Sequence, residues 1–333
     1  MLNTISDPSN MDTLPSGLIQ HTAARLRFAN QYRKSSTSER SQMIAFPERK
    51  IRLERELAQS ENLGETPDGK SIFLFEYFQN SAVIRELGRL RELAFRAVGE
   101  GTGKLRDIDS YDQNYKHIVL WDPACSEIVG AYRIGQAHTL SPQECRNELY
   151  TNELFKYEDS FDEIFSQGIE LGRSFIQPKY WSKRGLDYLW QGIGAYLVKH
   201  PNVRYLFGAV SISNDYPSLA IQQIVGHYKY YYSTAGIREH AHAKNPFQID
   251  RGAYESRRNL SREQSNQDLK VSLSRQGVTL PVLYKHYVEL CEEQGVHFID
   301  FNVDPDFAFC IDGLILVDLN HIKLAKRRRY LSA

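Results

Sequence analysis

Apolar side chains recur at three- and four-residue steps over 82–98, where Val83, Leu87, Leu90, Ala94 and Val98 form one stripe. They do so again at Leu186, Leu189, Trp190, Ile193, Tyr196 and Leu197. Both runs predict helices with one buried face. Residues 71–79 alternate and are rich in aromatics, which predicts a first strand, and 117–121 with 128–134 flank a Pro-Ala-Cys-Ser turn as a hairpin. The stretch 168–176 reads as a strand that carries Glu170 and Arg173 among Ile169, Leu171, Phe175 and Ile176, and a polar loop leads from it into the second helix. Gly172 packs nothing inside that strand and marks a bulge or a close approach of a ligand to the backbone. Residues 204–211 are almost continuously apolar, as in a strand covered on both faces. Helices over 216–232 and 278–293 and strands over 296–301 and 314–319 complete the pattern.

The remaining stretches are polar. Residues 1–17 have the composition of a disordered segment, and 18–59 are helical in character but highly charged, with a weakly amphipathic helix over 48–59. Residues 62–70 read as a turn and loop, which places a domain boundary between a polar, helical N-terminal extension (1–70) and a main domain (71–333). Within the latter, about 240–276 reads as an insertion lying over the surface. Strand, helix, acidic loop, hairpin, then a central strand–helix–strand crossover is an α/β layout.

Composition narrows the function. The 41 basic and 41 acidic residues cancel, which argues against a general nucleic-acid binder. Cys125, Cys145, Cys291 and Cys310 lack CxxC spacing, so neither a zinc site nor a disulfide framework is expected, and reduced thiols point to the cytoplasm. The first 17 residues lack a signal-peptide core. No run reaches the roughly 18 apolar residues of a membrane span.

Seven blocks in order carry a resemblance: 90–103 (LRELAFRAVGEGTG), 107–112 (DIDSYD), 117–122 (HIVLWD), 129–133 (VGAYR), 170–174 (ELGRS), 206–213 (LFGAVSIS) and 301–307 (FNVDPDF). Over roughly 73–330 the chain resembles the GNAT acyltransferase superfamily, in its branch of ornithine-lipid and glycine-lipid N-acyltransferases, also labelled hemolysin-like. That branch looks related to acyl-homoserine-lactone synthases. The resemblance implies a GNAT-like mixed central sheet flanked by helices, with the helical extension ahead of it. It implies Glu170 and Arg173 as catalytic residues, with Arg91, Phe95, Asp109, Asp112 and Arg133 binding the substrate. Ser174, Phe175, Lys183, Arg184 and Gly185 are expected on the donor side, and no metal or tightly bound cofactor is expected. The usual glycine-rich diphosphate loop is missing, since Gly185 is the only glycine between Gln177 and Leu189, which favours acyl-carrier protein over coenzyme A as donor of a phosphopantetheine-linked acyl group.

The implied reaction moves a long, or 3-hydroxylated, fatty acyl group to the amine of a small amino acid, the first step of aminolipid synthesis, with O-acylation by a separate acyltransferase. A signal synthase that releases an N-acyl amino acid or acyl-homoserine-lactone-like product, and a GNAT-like acyl-binding scaffold without turnover, are the alternatives. Amide formation needs a base for the amine, donors for the oxyanion and reactants held in line. Glu170 suits the base, or else pairs with Arg173 to shape the strand. Asp109 and Asp112 suit a cationic acceptor, or else cap a turn. Arg91 and Arg133 suit a carboxylate, or else pair with those aspartates. His117 and Asp122 match a His-x4-Asp pattern formally, but on a hairpin strand His117 reads as structural. The basic run Lys326, Arg327, Arg328 and Arg329 fits an anionic membrane surface, carrier-protein docking or a solvated helix equally.

Overall fold

A computed structural model describes residues 43–250, 252 and 259–331. The readings of 1–17 and of 18–42 lie outside the described residues. Among the described residues the strands are β1 (Glu61–Glu65), β2 (Ser71–Glu76), β3 (Lys116–Asp122), β4 (Glu127–Gly135), β5 (Phe155–Tyr157), β6 (Gly168–Ile176), β7 (Tyr205–Ile212), β8 (Ala241–Ala243), β9 (Val296–Asp304) and β10 (Cys310–Asp318). The longer helices are α1 (Lys50–Leu57), α2 (Ala82–Arg96), α3 (Gly185–Lys199), α4 (Ser218–Tyr231), α5 (Arg262–Arg275), α6 (Val282–Leu290) and α7 (Leu324–Tyr330). Eight strands form one mixed sheet in the order β1-β2-β3-β4-β6-β7-β10-β9, and β5 pairs with β8 apart from it. Only β6 and β7 run parallel; β10, the last strand in sequence, sits between β7 and β9.

Alternation along the strands sends two sets of side chains to two layers. Ile72, Leu74, Ile118, Leu120, Tyr132, Leu171 and Val210 face helices α3 to α6. Phe75, Val119, Trp121, Ala131 and Phe175 face α1 and α2. The segment between β4 and β6 covers the rest of that second face, through Phe161 and Phe165 against Phe207. Glu56 of α1 caps α2: its carboxylate accepts from Ser81 Oγ and from the N–H groups of Ala82 and Val83 at 2.8–2.9 Å. Helix α7 docks on α3 at Gly194, where a Cβ would lie 1.8 Å from the Tyr330 carbonyl oxygen.

Several elements differ from the sequence reading. Residues 62–65, expected within a turn and loop, belong to the edge strand β1 because they pair with β2. Asp312 and Gly313, which the sequence reading leaves outside the strand over 314–319, lie inside β10 opposite Ser211 and Val210. The expected surface insertion contains α5, which buries Leu269 and Leu273 in the main core and hydrogen-bonds Ser265 to His227 of α4 at 2.9 Å. Val98 lies beyond the end of α2 and is exposed. The helix expected over 278–293 starts only after Pro281, which has no N–H to give to an earlier turn. All four cysteines are free. Among the described residues no helix is long and apolar enough to cross a membrane.

Candidate active site

Strands β6 and β7 pair only through Gly168–Tyr205, Ile169–Leu206 and Glu170–Phe207, and beyond these they separate. Gly208 permits the junction, since a Cβ there would lie 2.1 Å from the Leu171 carbonyl oxygen. On its other edge β6 follows β4 with one residue too many. Ala131 faces Phe175 and Arg133 faces Gly172, so Arg173 and Ser174 share the place opposite Tyr132. This is a β-bulge, and its extra residue falls outside the ladder. Arg173, not Gly172, takes the left-handed conformation, with φ 46°. Partners far along the chain hold it there. Its Nε lies 3.1 Å from Asp107 and its Nη2 3.4 Å from Asp109, and the guanidinium covers the rings of Tyr150 at 4.6 Å and Phe307 at 5.1 Å.

A cleft occupies the gap between the separating strands. Its walls come from both faces of the sheet. Tyr132, Leu171 and Val210, with Leu283 and Tyr287 from the α6 region, make an apolar half. Phe95, Glu100, Tyr150, Arg173, Ser211, Phe307 and Asp312 make a charged and aromatic half.

Beside the cleft three arginines and three aspartates form an ion network whose centre is buried, with Asp109 23% exposed at its rim. Arg91 and Asp112, both 1% exposed, pair at 2.7 Å, and Arg133 lies 2.5 Å from Asp109 and 3.4 Å from Asp112. Burial alone would raise the Asp112 pKa, but Arg91 and Arg133 hold it well below the usual carboxylate range. Asp109 and Asp112 also cap one another across the turn Ser110–Gln113. The cap and the arginine partner, each given above as the alternative to substrate binding, are therefore both present. His117 Nδ1 stands 3.2 Å from Arg91 Nη2 and its Nε2 3.3 Å from the Asp112 carbonyl. Burial, then the Arg91 charge, pushes His117 down to about 3, so the ring is neutral. Asp122 instead accepts from Ala124 N–H and Tyr180 OH, away from His117.

Glu170 does not pair with Arg173. Its carboxylate accepts from Tyr115 OH at 3.1 Å and from Thr151 Oγ1 and N–H at 3.2 and 3.4 Å, and it does not line the cleft. Burial raises it to about 7 against the pull of Arg133. The sign of its effect on stability follows. Below the ordinary pKa both states hold the proton. As pH climbs from there to about 7 the unfolded chain has released it and the folded protein has not, so stability falls. Glu170→Gln keeps the acceptor and does not titrate. Its melting temperature should therefore gain on wild type between about pH 4 and pH 8; a constant difference across that range would refute the assignment.

Of the expected donor residues only Ser174 lines the cleft. Phe175 turns into the α1–α2 layer. Lys183, Arg184 and Gly185 lie where the loop enters α3, with Lys183 over the Tyr180 ring and Arg184 3.4 Å from Asp187. The sequence reading assigned no role to Glu100, Tyr132, Tyr150 or Asp312, which line the cleft. They converge from four elements, and no local pattern links them.

The model of the acetyltransferase (GNAT) domain matches residues 90–191. A glycine N(alpha)-acyltransferase of Bacteroides thetaiotaomicron is 31% identical over 304 residues, covering 86% of this chain and 89% of that protein. A glycine N(alpha)-acyltransferase of Phocaeicola vulgatus is 39% identical over 53% of this chain and 57% of its own. An L-ornithine N(alpha)-acyltransferase of Brucella abortus is 32% identical over 38% of this chain and 50% of its own. Among solved structures, the AHL synthase LasI aligns over 81% of this chain and 95% of its own at 11% identity and a TM-score of 0.36.

Proposed function

Because this chain belongs to the family of amino-acid N(alpha)-acyltransferases carrying a GNAT domain, we propose that it joins a long fatty acyl chain to the amine of a small amino acid, glycine foremost, drawing the acyl group from the phosphopantetheine thioester of an acyl-carrier protein. The observation that carries this reading is the cleft between β6 and β7, whose apolar and charged halves meet beside the bulge. The acyl chain lies along Leu171, Val210, Leu283 and Tyr287, and the amino acid enters among Glu100, Tyr150, Arg173 and Asp312.

The thioester carbonyl then stands by the bulge, opposite Tyr132. That residue is 1% exposed, and its hydroxyl lies near Ser174, Tyr287 and Trp190 without a hydrogen bond of good geometry to any of them. Burial raises its pKa, so it keeps its proton and serves as a donor. As the amine attacks, the C–N bond forms and negative charge develops on the carbonyl oxygen, to which Tyr132 donates. The C–S bond breaks and the thiolate leaves with one proton from the nitrogen; a carboxylate of the charged half has taken another from the incoming ammonium group, and the amide nitrogen keeps the third.

Asp187 in the first turn of α3 supports a carrier-protein donor. It is bound by Arg329 and by Tyr330 OH, so a negative charge already occupies the helix start that would seat a diphosphate. Lys183, Arg184 and Arg329 around it suit an acidic partner. A 3-hydroxylated product would retain a hydroxyl for a second acyl chain, added by a separate O-acyltransferase at a membrane surface.

The test is direct. Purified protein is incubated with glycine or ornithine and with palmitoyl thioesters of acyl-carrier protein and of coenzyme A, and amides are identified by mass spectrometry. The expected result is N-palmitoylglycine, formed faster from the carrier protein. No amide from any combination would overturn the reading, and faster turnover of the coenzyme A thioester would overturn its donor assignment.

A further inference from the structure

Resting on that reading, we propose that Glu100 and Asp312 together seat the ammonium group of the acceptor, with Glu100 taking its proton. Both side chains line the charged half of the cleft. They arrive from opposite directions, Glu100 from the loop after α2 and Asp312 from β10, where it pairs with Ser211 of β7. The loop is fixed from beneath. The buried Glu92 carboxylate accepts from Thr102 N–H and Oγ1 at 3.1 and 2.6 Å and from Gly103 N–H at 2.9 Å. Glu100 itself accepts one hydrogen bond, from Ser211 Oγ at 2.9 Å, which orients the carboxylate and leaves it further capacity to accept.

Asp312 is held differently. It is 4% exposed, and among the described residues no donor hydrogen-bonds its carboxylate. A buried carboxylate without a partner is costly, and it is aimed into the cleft. Asp304 on β9 adds a third carboxyl, holding Tyr150 OH at 3.4 Å and Asp306 N–H at 2.9 Å. Burial, then the charges of Asp304 and Glu100, push Asp312 well above the usual range. The nearby cation, Arg173, is committed to Asp107 and Asp109. The cleft thus holds acidic groups that oppose one another's ionisation, and a bound cation relieves them. A primary ammonium brings one charge and three donors, enough to reach both carboxylates. Glu100, raised by burial to about 7 and lowered by Ser211, is suited to accept a proton near neutral pH. Tyr150 and Phe307 narrow the same half.

Glu100→Gln and Asp312→Asn are assayed with glycine and the palmitoyl thioester of acyl-carrier protein. Asp312→Asn should raise KM for glycine at least tenfold and leave KM for the thioester unchanged. Glu100→Gln should lower kcat by about 10²-fold. Saturating glycine should raise the melting temperature of wild type but of neither variant, a readout of binding that does not depend on turnover. Glu100→Asp, which keeps the charge, should regain the thermal shift but not the full kcat. Variants that are folded by their own melting curves, yet keep the wild-type KM for glycine and the wild-type shift, would overturn the ammonium seat and leave the proposed function standing. Wild-type protein that acylates neither glycine nor ornithine would overturn both.

Discussion

Asp112→Ala should destabilise the protein by about 3–5 kcal/mol, the largest loss expected from any single substitution described above. The carboxylate sits between two guanidiniums, 2.7 Å from Arg91 and 3.4 Å from Arg133, and is 1% exposed. Alanine would leave Arg91 buried without an anion and Arg133 with Asp109 alone, and it would remove half of the reciprocal cap over Ser110–Gln113. The wild-type contribution depends on pH in a known direction. Because the folded pKa is depressed, the stabilisation is complete above the ordinary aspartate pKa of about 4 and fades as pH falls through the folded value. Denaturant unfolding of both proteins at neutral pH and in acid measures this. The gap should be widest at neutral pH and close in acid, and a loss below about 1 kcal/mol at neutral pH would show that the ion network is not the support described.

Tyr132→Phe should do the reverse, lowering kcat by about 10²–10³-fold while leaving the melting temperature at or above that of wild type. The hydroxyl makes no hydrogen bond of good geometry to Ser174, Tyr287 or Trp190, so its removal gives up little there and relieves a buried polar group of its desolvation cost. Its use arises only when an oxyanion forms beside the bulge. KM for both substrates should change little, since a donor that engages only in the transition state does not contribute to ground-state binding. Unchanged kcat in a folded variant would move the oxyanion's donors entirely to the backbone of β6.

The main body of the fold was legible because periodicity and burial agree over β2, α2, the β3–β4 hairpin, β6, α3 and β7. What escaped was set by partners distant in sequence. Strand β1 forms because β2 offers an edge, and Asp312 belongs to a strand because Ser211 stands opposite it. The bulge was foreseen at Gly172, the residue with the freest backbone. It falls on Arg173 because Asp107 and Asp109, more than sixty residues earlier, hold the guanidinium and fix the backbone behind it. The arginines and aspartates of the site were legible as residue types, and the resemblance named them. The partners of Glu170 and Arg173 were not, because the two are neighbours in sequence yet take different partners in space. Glu100 and Asp312 had no local signal, since a buried carboxylate differs from a solvated one only in what surrounds it.

The place of β10 between β7 and β9 has a consequence for biogenesis. Roughly a hundred residues separate β7 from its antiparallel partner, and at about 5–20 residues per second the ribosome takes some 5–20 s to supply them. Through that interval Leu206, Phe207, Val210 and Ile212 belong to a strand with a bare edge, the kind of surface that recruits other nascent chains or holdase chaperones. Slow elongation or a ribosomal pause between the codons for β7 and β10 lengthens this exposure. Yield in a heterologous host should therefore depend on translation speed and chaperone supply over this one stretch of message more than over the codons for the β3–β4 hairpin, whose strands meet within seconds of being made.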